Sequence, residues 1–90
     1  MTLDDALFNW LQIKHVAENR PDDLAAHDTY QFFSEILLED FKLTDLSSTQ
    51  EEGMYVIRFL QDNEQKEKKF PAEFVHQLFI DIENEPRYNQ

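Results

Sequence analysis

The chain contains no cysteine, which excludes disulfides, thiolate zinc sites and a cysteine nucleophile. It has a single glycine, Gly53, too few for the glycine-rich loops that cradle phosphates. Cations are scarce: eight Lys and Arg face nineteen Asp and Glu, a formal charge of -11. Ten of the acids and only three of the bases lie in residues 1–45. That balance repels polyanions, and the one basic cluster, Lys66, Lys68 and Lys69, is interrupted by Glu67. Since neutralising phosphates supplies most non-specific affinity for nucleic acid, no nucleic-acid partner is expected. No apolar run approaches the roughly 20 residues of a membrane helix, so no membrane association is expected either. Asp4 and Asp5 stand where a secretory signal would carry Lys or Arg, and with the lack of cysteine this points to a cytoplasmic protein.

What is present suits one modest core. The 90 residues are 41% hydrophobic and include eight Phe, and a chain of this length buries roughly 60 to 65% of its unfolded surface. One globular domain is expected over residues 1–85, with a frayed tail over residues 86–90.

Thr2 and Asp5 have the spacing of a capping box, and the chain follows it at helical period to about Asn19. Leu3, Ala6, Leu7, Trp10, Leu11, Ile13 and Ala17 fall in one stripe, while Phe8 falls outside it. Pro21 breaks the chain and suits the first position of a second helix over residues 21–41. Ala26, Tyr30, Phe33, Ile36, Leu37 and Phe41 form its inward face; Asp28, Gln31, Glu35 and Glu39 face out. The short link makes the pair an antiparallel hairpin.

Residues 54–60, MYVIRFL, decide the fold class. Wound as a helix they point apolar groups in every direction. Drawn as a strand they put Tyr55, Ile57 and Phe59 on one face and Met54, Val56, Arg58 and Leu60 on the other. Their β-branched and aromatic composition and the preceding Gly53 favour the strand. Residues 62–65 then supply a turn, residues 66–70 a charged edge strand, and residues 43–48 a partner on the other side. A capping-box pattern at Ser48 to Glu51 supports the alternative, an all-α four-helix bundle. Pro71 begins a last helix with Phe74, Val75, Leu78, Phe79 and Ile82 inward and Glu73, His76, Gln77, Asp81 and Glu83 outward. The expected fold is α+β: a helical hairpin, a small antiparallel sheet of two or three strands, and a C-terminal helix.

The residues carry little chemistry. Glu73-x-x-His76 matches half of a di-iron motif, but the second copy is missing. Glu35 and Glu39 are one turn apart, a spacing that is usually solvated surface. Residues 62–70 lack the glycine and terminal Glu of a calcium loop. His27 beside Asp28, and His76 five residues before Asp81, match no catalytic motif. No cofactor, metal or enzymatic activity is expected.

What remains is apolar surface outside the helical stripes. Phe8, Phe32 and Ile80 point away from the main faces of their helices, near Glu35 and Glu39 on the second. A wider core would cover them; left exposed, they would form an aromatic patch with an acidic rim. The expectation is a non-enzymatic interaction or regulatory module that binds a protein of basic character or a second copy of itself as a homodimer. The alternative is an inhibitor or antitoxin-like protein whose Asp22, Asp23, Glu35 and Glu39 stand in for nucleic-acid phosphates.

Overall fold

The computed structural model describes residues 1–85; the frayed tail expected over residues 86–90 lies outside the described residues. The first helix, α1 (Leu3–Asn19), begins with the expected capping box: the Asp5 amide donates to Thr2 Oγ1 at 3.1 Å and the Thr2 amide to the Asp5 carboxylate at 3.5 Å. Its apolar side is buried as the periodicity requires, with Ala6, Leu7 and Val16 fully enclosed.

The second helix, α2 (Leu24–Glu35), starts later than proline placement suggests. Asp23 is the cap, its carboxylate accepting from the Ala26 amide at 3.0 Å, and Pro21 lies in the turn before it. A side-chain oxygen that closes an orphan amide sets the start of a helix more firmly than a favourable φ does. The α-helix also ends early. Residues Ile36–Asp40 form one π-turn, in which the Phe41 amide reaches the Ile36 carbonyl at 3.2 Å. The helices run antiparallel: Trp10 meets Tyr30 and Ser34, while Ala17 lines a cleft with His27 and Tyr30.

Three strands follow: β1 (Thr44–Glu51), β2 (Met54–Gln61) and β3 (Glu64–Pro71), antiparallel and in sequence order. The four-helix alternative is therefore excluded. Both hairpins close on two residues with positive φ: Glu52 and Gly53 (50° and 78°), then Asp62 and Asn63 (54° and 63°). That is the turn whose twist matches the flanking strands, and it favours Gly, Asn and Asp. β1 lies further along the chain than residues 43–48, so the capping-box pattern of residues 48–51 is drawn out as strand. On β2, Ile57 and Phe59 are fully buried on the helix side and Arg58 points to the outer face between Glu51 (3.3 Å) and Glu67 (3.0 Å), but Val56, on that same outer face between Thr49 and Lys69, is only 3% exposed.

The last helix, α3 (Ala72–Glu83), is capped by Pro71, which also ends β3. Val75 is buried and Leu78, Phe79 and Ile82 pack against Ile13, Val16, Ala17 and Ala26. Phe74, expected inside, is 58% exposed: the buried side of α3 runs through Ala72, Val75 and Phe79, and Phe74 is turned away from it. The main core (Leu7, Trp10, Leu11, Leu37, Leu43, Ile57, Phe59, Val75) lies between the helical layer and one face of the sheet. Apart from Val56, the other face is largely polar, an arrangement common in antiparallel sheets.

Candidate functional site

The residues expected to form an interaction surface are not all brought together. Phe8 is half-buried: its ring centroid lies 5.7 Å from that of Phe70, and it packs on the flank of the main core. Its place outside the stripe of α1 reflects contact with β3, a neighbour that the α1 sequence alone does not reveal. Ile80 is 45% exposed but stands on α3, a separate element. Phe32, Glu35 and Glu39 do share the outer side of α2 and its π-turn, where Phe32 is 57% exposed.

Two apolar residues missed by sequence reasoning join them. Leu24 is 76% exposed and Leu38 is 58% exposed. On a helical wheel Leu24 falls amid Asp28, Gln31 and Glu35, so periodicity alone could have found it. Leu38 could not be placed that way, since the π-turn changes the angular step beyond Glu35. Over residues 21–41 the chain has six Asp and Glu and no Lys or Arg. The outer side of α2 therefore combines exposed Leu and Phe with carboxylates.

At the start of this segment Asp23 is already engaged. Arg20 pairs with Asp23 at 3.0 Å and with Glu83 at 2.9 Å, tying the turn after α1 to the end of α3. The Ala26 amide, then the Arg20 guanidinium, hold the Asp23 carboxyl below its usual range. Further along, Glu35 accepts from Gln31 at 3.2 Å.

A second group of functional side chains lies where α1, α3 and the sheet meet. The His15 and His76 rings stack with centroids 4.2 Å apart, and the Tyr55 hydroxyl lies 2.8 Å from His76 Nε2. Asn19 Nδ2 lies 3.3 Å from His15 Nδ1 and donates to the His15 carbonyl at 2.8 Å. The rings border an open cleft of about 480 Å³ with Lys14, Glu18, Ser48 and Gln50. His76 was expected to face outward; the turn of α3 instead brings it against β2, where it is half-buried. His15 carried no sequence signal, because its partners come from distant parts of the chain. Burial, then the neighbouring His76, hold His15 below its usual value of 6.5, with Glu18 acting against them. Burial, then Glu18, push the Tyr55 phenol up.

His27, the other histidine considered, is exposed and sits 3.1 Å from the Pro21 carbonyl. Among the described residues no three or more His, Cys, Asp or Glu side chains are grouped so as to hold a metal ion. No helix among them is long and apolar enough to cross a membrane. Comparison with protein families, with characterised proteins and with solved structures finds no match to this chain.

Proposed function

We propose that the protein is an interaction module that binds a basic, partly apolar protein surface on the outer side of α2. The observation that carries this reading is the exposure of Leu24, Phe32 and Leu38 on a segment with six acids and no Lys or Arg. Exposed large apolar side chains supply affinity when a partner covers them, and Phe is among the residues enriched in interfaces. The carboxylates of this segment other than Asp23, which Arg20 already holds, favour a basic partner and speed its approach. The same charge opposes a second copy on this face, since two such segments would repel.

The test compares capture of partners by the wild type, by Phe32→Ser and by the double variant Glu35→Lys, Glu39→Lys. The expected result is a partner retained at low salt, released at high salt and reduced at least tenfold in both variants, with the melting temperature nearly unchanged. Partners captured equally by all three proteins would refute the reading. If DNA displaces the captured partner, the acidic side is acting as a nucleic-acid mimic rather than as the rim of an apolar contact.

A further inference from the structure

The sheet has two edges, and they are not alike. β3 carries Glu64, Lys66, Glu67, Lys68 and Lys69, a charged edge of the kind that discourages another strand from pairing. β1 carries no charge from Leu46 to Gln50 and no proline anywhere. Its pairing with β2 is regular from Ser47 to Glu51, the irregularity being confined to the span from Thr44 to Ser47. It ends the strand order, and most of its residues are exposed. An edge strand of this type presents a row of unpaired amide and carbonyl groups.

We propose that the free edge of β1 at residues 47–51 accepts an extended segment of another protein as a fourth strand, and that this segment is uncharged at its centre and basic at its ends. The centre must match Ser47, Ser48, Thr49 and Gln50, which offer main-chain groups and small polar side chains. The ends meet Asp45 on one side and Glu51 and Glu52 on the other. Glu51 is shared with Arg58, whereas Glu52, at the hairpin tip, has no cation on it among the described residues. A second copy fits less well. Antiparallel pairing centred on Ser48 would set Asp45 against Glu51 of the other chain, and like charges directly opposite are destabilising. Each chain also carries -11.

The surroundings of the edge favour recognition as well as pairing. Ser48 and Gln50 lie opposite Ile57 and Tyr55, so their side chains are on the helix side of the sheet. There they border the cleft of about 480 Å³ that also contains His15, Tyr55 and His76. Side chains of an added strand alternate between the two faces, so every second one would turn toward this cleft. Every residue lining it is polar, which suits a polar side chain at those positions.

The edge is separate from the outer side of α2, so this inference stands or falls independently of the proposed function. The test uses the full chain, isotopically labelled, and the synthetic peptide Lys-Lys-Thr-Val-Thr-Val-Lys-Lys. Saturable binding is expected, with hydrogen exchange slowed at alternate amides of residues 47–51. Two further peptides, N-methylated at alternate central amides in the two possible phases, separate main-chain pairing from simple charge attraction. One phase should bind at least tenfold more weakly and the other nearly as well. Replacing the four Lys by Glu should also weaken binding at least tenfold at low salt. No binding at millimolar peptide, equal affinity of both N-methylated forms, or chemical-shift changes confined to α2 would each overturn the inference. So would sedimentation of the protein alone as a dimer whose β1 amides are already protected.

Discussion

Replacing Phe8 and Phe32 separately by Ser should give opposite answers on stability. Complete burial of a Phe side chain stabilises by about 1.5–3 kcal/mol, and Phe8 is half-buried, which leaves about 1–1.5 kcal/mol at stake. Its tilted contact with Phe70, at 5.7 Å, adds about 0.5–1.5 kcal/mol. Phe8→Ser should therefore cost about 1.5–3 kcal/mol. At roughly 4–8 °C per kcal/mol for a domain of this size, the melting temperature should fall by about 6–24 °C. Phe32, 57% exposed with one edge contact to Phe33, should cost less than about 1 kcal/mol and shift melting by under about 8 °C. Thermal melts followed by circular dichroism, supported by urea titrations, would measure both. Equal shifts, or a larger one for Phe32→Ser, would refute the assignment of Phe8 to the core and of Phe32 to the surface.

Stability should also depend on His15. Its folded-state pKa is depressed, so as pH falls through 6.5 the unfolded chain takes up a proton before the folded chain does. Stability present above 6.5 is then lost on acidification until the folded-state pKa is passed; His15→Gln should flatten this part of the profile, and an unchanged difference between pH 7 and pH 5 would count against it. Ser34 Oγ accepts from the Trp10 indole N–H at 3.0 Å, and Trp10 is only 5% exposed. Ser34→Ala should leave that donor unpaired and cost about 1–3 kcal/mol, readable by urea unfolding followed through Trp fluorescence. At Gly53 an added Cβ would meet nothing within 4 Å, but φ is 78°. Gly53→Ala should therefore cost about 1 kcal/mol through the backbone alone, and Gly53→Asn less, because Asn tolerates this conformation better.

Much of the fold can be read from the sequence because local and global signals agree. The Thr2 box, the β-branched and aromatic run of residues 54–60 and the lone Gly53 each favour one local structure, and packing keeps it. Where local signals competed, tertiary structure decided. Residues 48–51 carry a helix cap pattern, yet pair with residues 54–57, because β2 has β3 on only one side and its other edge would otherwise be left unpaired over an apolar run. The start of α2 was misplaced because Pro21 and Asp23 are both start signals, and only the bond to the Ala26 amide separates them. The candidate surfaces were less legible. Glu35, Glu39 and Phe32 follow from the helical period, whereas the partnership of His15, Tyr55 and His76 joins three elements distant in sequence. The edge position of β3 is legible in its charges, and β1 on the other side of β2 follows from it, but the contrast between the two edges becomes clear only from the pairing register.

The central position of α1 has a consequence for synthesis. Ile13 and Val16 are covered in part by α3, whose last residue is made roughly 70 residues later, which at 5–20 residues per second is about 3.5–14 s. During that interval α1 has an apolar side that α2 covers only in part, with Ala26, Tyr30 and Phe33, and that α3 must complete. A nascent chain paused within the sheet would hold that side open to chaperones or to other nascent chains. Synonymous codons that slow translation of residues 44–71 should therefore lower the yield of soluble protein more than the same codons placed after α3.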